Sequence, residues 1–452
     1  MLYIAYVKLF SRFFLNRTYR TKMKNTNTLF NQENQLLLLQ GTIVATLVTL
    51  PLKNIFISIA TILFVVFSLF FYYKETKNYK ITFIVPLIYF LVMIVSLFWK
   101  ENSENSFFAL QKHSPMLFVP LAFLCIPKVD KFFTNRVIRA YSFGMVLYAV
   151  FFLLKACLRY FDLKSSSVFF HTELVPNDPG VIYISVFASF AIFYFIQIEF
   201  KKTIEKAAIF ILALLIFLLS SKSVITIDFI IIVCYYALFS KVPSATKTST
   251  IIAVSLFLFF SVYFVKEVRE RFLIEYETAF IDNTLNYELT SESQNVYNVS
   301  ISEAWNKNDF HNNSFFPGTA LRVYQARLFS EALSEGKILV SGFGLEASQD
   351  YIRNKAKENN LNPIYAEYNF HNQYIQTYAE LGFFGFLVLI ILLFITIKNA
   401  WNQKDFLHIA FSITMIVLFL SESFFCRQRG IIFFIILYCL FNSSYAKKVN
   451  ES

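Results

Sequence analysis

The sequence predicts an all-α integral membrane protein of about twelve transmembrane helices, with a large, mainly helical external loop between the ninth and tenth. Three observations predict it. Of the 452 residues, 56% are hydrophobic and only 16% charged, against about 45–50% and 25% in average soluble domains. Apolar runs near the roughly 20 residues needed to cross about 30 Å of hydrocarbon recur from residue 35 onward. One segment, 266–374, breaks that pattern, carrying 15 of the 30 acidic residues and 10 of the basic ones.

Residues 1–34 form an N-terminal segment expected to lie on the cytoplasmic surface. Lys8, Ser11 and Arg12 share a helical face opposite Leu2, Ile4, Phe10 and Phe13, and Arg17, Arg20, Lys22 and Lys24 would meet anionic headgroups. No small-residue cleavage site follows, so the stretch is taken as an interfacial helix and not as a removable targeting signal. The membrane domain then runs over 35–265 with spans at about 35–52, 54–72, 81–99, 114–127, 137–157, 181–199, 207–220, 223–240 and 249–265. The external loop domain occupies 266–374. Residues 375–446 hold the last spans, at about 375–397, 406–421 and 429–445, and 447–452 form a cytoplasmic tail.

With the N-terminus inside, 22 of the 41 Lys and Arg fall on the cytoplasmic side, the bias expected of inner loops. The net charge of +11 therefore follows the membrane, and no nucleic-acid partner is implied. The five cysteines lie in or beside predicted spans, so disulfides do not staple the loop. No Cys/His spacing resembles a zinc site, and no Gly-rich phosphate loop with its Lys is present. Neither a metal nor a cofactor is expected.

Long connections are usually functional, and this one is placed to complete a site at the outer surface. Within it, Thr319 to Glu335 has Leu321, Tyr324, Leu328, Ala332 and Leu333 at helical spacing and Gly336 as its stop, with Arg322 and Arg327 projecting. A short apolar run then ends in Gly342-Phe-Gly344, a turn where backbone can approach a neighbour closely. The loop closes on Phe370-His371-Asn372-Gln373-Tyr374, at the water–lipid boundary. If residues 371 onward form one helix, Tyr374, Tyr378, Gly382 and Gly385 lie within about 60° of His371 on one stripe. The two glycines would then admit a neighbouring helix in small-xxx-small packing.

The run His371-Asn-Gln-Tyr-Ile-Gln-Thr-Tyr-Ala-Glu-Leu-Gly382-Phe-Phe-Gly385 resembles the His-Asn-x-Tyr … Glu-x-Gly-x-x-Gly signature of the O-antigen ligase and polymerase family of bacterial envelopes. The Arg322 to Leu333 helix before a Gly-x-Gly turn is similar to the Arg-containing helix that precedes the signature there. The resemblance implies a membrane-embedded glycosyltransferase of the bacterial inner membrane, with the loop and site facing the periplasm. Its donor would be a glycan on undecaprenyl pyrophosphate, and its acceptor a sugar hydroxyl of lipid A-core. By the same resemblance His371 serves the acceptor as base or orienter and Arg322 serves the pyrophosphate, without a metal.

Further substrate-binding candidates are Asn372 and Tyr374 in the signature, Arg327 on the helix, Lys222, and the Arg427 and Arg429 pair at the external start of the last span. Ser220-Ser221-Lys222-Ser223 sits where the family commonly has an Arg after a Ser-rich turn; an ammonium neutralises phosphate but lacks the bidentate fork of a guanidinium. The family's usual Trp four residues after the helix Arg is Ala326 here. Glu422 is expected to balance the Arg427 and Arg429 pair, and Arg327 to have Glu331 as an i+4 partner.

Two related readings share the site: a polymerase, with a second lipid-linked glycan as acceptor, and a protein O-oligosaccharyltransferase. A flippase or transporter would instead show comparable halves with polar sites at mid-membrane. Here one loop takes about a quarter of the chain, and the polar clusters lie at its outer edge.

Overall fold

A computed structural model of the chain describes residues 32–70, 81–99, 103–127, 129–176, 180–264, 276–287, 289–290, 295–336 and 338–443, with Arg269 and Leu273. The interfacial segment, up to the start of the first helix, and the 447–452 tail lie outside the described residues. Helix makes up 77% of the structure.

The first apolar run folds as α1 (Gln32–Val48), followed by α2 (Asn54–Phe70), α3 (Ile81–Ser96), a short polar α4 (Ser103–His113) and α5 (Pro115–Cys125). Then come α6 (Lys131–Leu163), α7 (Val181–Ile196), α8 (Thr203–Leu219), α9 (Lys222–Cys234) and α10 (Ser244–Phe264). After the loop, α14 (Gln373–Gln403), α15 (Phe406–Leu418) and α16 (Gln428–Ser443) complete the bundle. Every apolar run read from the sequence falls on one of these helices.

By length and composition, three helical stretches among the described residues suffice to cross a membrane: Lys131–Leu163, Lys222–Phe239 and Gln373–Gln403. Shorter apolar helices such as Ile81–Ser96, Val181–Ile196 and Gln428–Ser443 pack among them, and the whole is a multi-pass membrane protein. Its surface has the polarity that lipid requires. Leu147, Phe151, Leu154 and Leu158 form an exposed stripe along α6, as do Ile55, Ile59 and Ile62 on α2. α16 is buried on all sides from Ile431 to Phe441, as a helix that is apolar all round must be. Phe433 on it meets rings of Phe187, Phe190 and Phe411 from α7 and α15.

Between α10 and α14 the loop contains α11 (Ile301–Asn306), α12 (Gly318–Ser334) and α13 (Ser348–Glu358). It also holds a small sheet of β1 (Thr284–Leu285), β2 (Tyr297–Asn298) and β3 (Ser314–Phe315), antiparallel then parallel. No periodicity in the sequence announced these two-residue strands. α11 starts on a capping box in which Ser300 accepts from the Glu303 amide and Glu303 accepts from the Ser300 amide. The predicted helix appears as α12, within a residue at each end, and Gly336 beyond it has φ +72°. Its buried face carries Tyr324 and Leu328 into a core with Phe310, Phe316, Tyr351 and Tyr365. Burial pushes the Tyr324 and Tyr365 phenols up to about 12, so both stay protonated.

Candidate active site

His371 does not lie on the helix. α14 begins at Gln373 with Asn372 as its N-cap, the Asn372 side chain accepting from the Ile375 amide at 3.0 Å. His371 itself has φ +45°, a left-handed conformation that costs a non-glycine residue roughly 1 kcal/mol. The neighbourhood holds it there. The His371 amide donates to Asn369 Oδ1 at 2.9 Å, the Asn372 amide to Ser423 Oγ at 3.1 Å, and the Gln373 amide to the Phe419 carbonyl at 2.8 Å. Asn372 Nδ2 adds a bond to the Leu420 carbonyl at 3.0 Å. Asn372 and Gln373 are thereby stitched to the 419–423 turn that joins α15 to α16. That turn brings Glu422 Oε2 to 3.7 Å from His371 Nδ1, while the Tyr368 ring stands edge-on to the imidazole at 5.7 Å.

Arg322 reaches the same turn from the loop. Its Nε donates to the Ser421 carbonyl at 3.1 Å and its Nη1 to the Gly318 carbonyl, four residues back on α12, at 2.9 Å. Gln325, the next residue on that face, donates from Nε2 to the Asn369 carbonyl, two residues before His371. The two residues singled out by the sequence thus converge on adjacent positions, 421 and 422. Glu422 and Gln325 complete the arrangement and were missed as parts of it. Glu422 faces His371, a partner the sequence did not indicate; only the fold, across some fifty residues, brings it there.

The other candidates divide. Arg327 does not project. It is buried, with Nε 2.7 Å from Glu331 Oε1, Nη1 2.6 Å from the Lys307 carbonyl and Nη2 on Asn308 Oδ1. It ties α12 to the end of α11, with the expected i+4 partner. Tyr374 donates to the Ile416 carbonyl at 2.8 Å, packing α14 on α15. Lys222 begins α9 after Ser220, whose φ of +52° ends α8. Tyr235, beyond the far end of α9, packs on Phe406 at the start of α15 with ring centroids 4.5 Å apart. The two helices therefore run antiparallel, with Lys222 at the end of α9 away from the start of α15. Arg429 is buried and lies within bonding reach of the Leu50 carbonyl (3.4 Å) and Asn54 Oδ1 (3.3 Å) between α1 and α2. Arg427 is exposed.

The glycines of the signature do something other than helix packing. At Gly382 the backbone leaves the helix, with φ +66° and ψ −162°, so α14 is kinked there. The Gly342-Phe-Gly344 turn fills the kink: the Phe343 amide donates to the Ala379 carbonyl at 2.7 Å and the Gly344 amide to the Glu380 carbonyl at 2.9 Å. A Cβ on Gly382 would stand 2.0 Å from the Val340 carbonyl oxygen, and one on Gly342 would stand 2.6 Å from the Glu380 backbone. Gly385 faces its own helix, where a Cβ would meet that of Leu381 at 2.2 Å. The expected single helix with a small-residue stripe for a neighbouring helix is therefore a bent helix with a turn wedged against its backbone. Below it, Gln376 Nε2 donates to Glu380 Oε1 and Ser348 Oγ, at 2.6 and 2.9 Å, fastening α14 to α13.

Residues 207–390 match the family model described as O-Antigen ligase. Over that stretch, less than half of its length, the chain is similar to the O-antigen ligase family. The matched stretch contains Lys222, Arg322, Arg327, His371, Gly382 and Gly385, and stops before the turn that bears Glu422. No curated protein matches the chain. O-antigen ligase and polymerase-like proteins are glycosyltransferases that take a lipid-linked glycan to a glycan acceptor; in this chain His371 and Arg322, both inside the matched stretch, meet at one turn. Among the described residues, no group of three or more His, Cys, Asp and Glu is gathered to hold a metal ion.

Proposed function

We propose that this protein moves a glycan from undecaprenyl pyrophosphate to a sugar hydroxyl of lipid A-core at the periplasmic face of the bacterial inner membrane. The observation that carries the reading is the convergence of Arg322 and His371 on residues 421 and 422. In the reaction the acceptor oxygen attacks the anomeric carbon, the bond from that carbon to the phosphate oxygen breaks, and the pyrophosphate leaves with the electron pair. The acceptor proton must be removed as the bond forms, and the leaving group needs cationic stabilisation.

His371 takes that proton on Nε2. Its Nδ1 faces Glu422, whose carboxylate orients the ring. Arg322 spends Nε and Nη1 on carbonyls and presents Nη2 to the pyrophosphate, with Lys222 as a second cation. Asn372, Tyr374 and Arg327 act by fixing the turn, α15 and α12 in place.

The test is transfer in vitro from a defined undecaprenyl-linked donor to purified lipid A-core, by the detergent-solubilised protein. Product is expected from the wild type and none from His371→Ala that folds normally. Product on a second lipid-linked glycan instead would mark a polymerase, and product on a protein Ser or Thr an oligosaccharyltransferase. Unchanged transfer by His371→Ala would remove His371 from the chemistry.

A further inference from the structure

A second polar site lies where residues of α4 meet Glu346 and the first turns of α13. The two helices enclose a cleft of about 320 Å³, at the small end of ligand pockets and of headgroup size, lined by Phe108, Lys112, Glu346, Gln349, Asp350 and Arg353. Its charges come as two ion pairs. Lys112 Nζ bonds both oxygens of Glu346, at 3.1 and 3.2 Å, and Arg353 Nη1 meets Asp350 Oδ1 at 3.0 Å, its Nη2 standing 3.5 Å from Glu367 Oε1 outside the lining. The lining therefore carries two cations and two anions and no net charge. Glu346 is held in this position with φ +64°, a strained conformation for a residue of its type and of the kind that gathers at ligand clamps.

The cleft opens beside lipid-facing aromatics. Phe107 and Phe108 on α4 are 66% and 68% exposed, and Phe98, after α3, is 86% exposed. Rings this bare beside an apolar bundle belong at the bilayer boundary, where aromatic belts sit. The frame around the cleft is rigid: Ser106 Oγ donates to the Leu345 carbonyl at 3.2 Å, and the Leu345 amide to Ser96 Oγ at 3.2 Å. Glu346 follows directly on the Gly342–Gly344 turn that fills the α14 kink.

We infer that this cleft binds the headgroup of a zwitterionic phospholipid from the surrounding bilayer, its phosphate toward Lys112 and Arg353 and its ammonium toward Glu346 and Asp350, with the acyl chains along Phe107 and Phe108. A neutral lining of paired charges complements a zwitterion and gives no advantage to a net anion, so the selectivity should run against the usual attraction of basic membrane proteins for anionic lipid. The inference rests on the membrane setting of the fold and is independent of the glycosyl-transfer reading, since its readout is lipid retention.

The experiment is native mass spectrometry of the full-length protein released from nanodiscs of equal phosphatidylethanolamine and phosphatidylglycerol. Retention of phosphatidylethanolamine is expected to exceed that of phosphatidylglycerol at least fivefold. Glu346→Gln with Asp350→Asn leaves two cations and should reverse the preference. If that double variant fails to fold, Arg353→Gln at the exposed rim carries the test and should lower phosphatidylethanolamine retention about fivefold. Equal retention of the two lipids by the wild type, or a preference untouched by the variant that folds, would overturn the inference. So would displacement of the bound lipid by an equimolar polyprenyl phosphate, which would make the cleft a site for substrate lipid.

Discussion

The start of α14 is held from two sides by different means. On the His371 side, Asn372 and Gln373 bond to the 419–423 turn, and the groups brought together are an imidazole, a carboxylate and a guanidinium. On the Gly382 side, backbone meets backbone: the Gly342–Gly344 turn donates two amides into a kink that only residues without a Cβ allow. One signature thus encodes two requirements, chemistry at its first residues and close approach at its last. Substitutions in the first half should cost transfer with the fold intact, and those in the second half should cost the fold.

The largest expected effect is that of His371→Ala, a loss of transfer of about a thousandfold or more, in the range of general-base removal, with unchanged thermal unfolding. Gly382→Ala should do the reverse. It places a Cβ on a carbonyl at a left-handed position, destabilising the protein by about 3 kcal/mol or more, seen as a lower unfolding temperature in detergent and reduced abundance. Full stability in that variant would mean that the kink is not held by the turn. Arg322→Lys keeps a charge but loses the planar fork, and should lower transfer some tens of times while raising the apparent KM for the donor little. Glu422→Gln should lower kcat about five- to tenfold, because it leaves His371 in place but removes the carboxylate that orients its ring. A Glu422→Gln variant with wild-type rates would show that the carboxylate only packs.

The helices were legible because lipid imposes long apolar runs, and α12 was legible to within a residue because Leu328, Ala332 and Gly336 mark its face and its end. Arg322 and His371 were legible through the signature they resemble. The partner of His371 was not: Glu422 is distant in sequence, and a carboxylate near two arginines suggests a local pair. Arg327 illustrates a different limit. A charged residue on an amphipathic helix is ordinarily exposed, and only the fold supplies the Lys307 carbonyl and Asn308 that bury it. Gly382 shows a third, since glycines at i and i+3 have the same spacing whether they admit a helix or break one.

The central claim is that Arg322 and His371 meet at one turn, and it is tested most directly by cross-linking. In a chain whose own five cysteines are changed to serine or alanine, Arg322→Cys with Ser421→Cys, where the Arg322 side chain reaches the Ser421 carbonyl, should be joined by a short thiol-specific reagent as efficiently as the pair Lys112→Cys with Glu346→Cys, where two side chains form an ion pair. Ready joining of the 112–346 pair with none between 322 and 421 would contradict it.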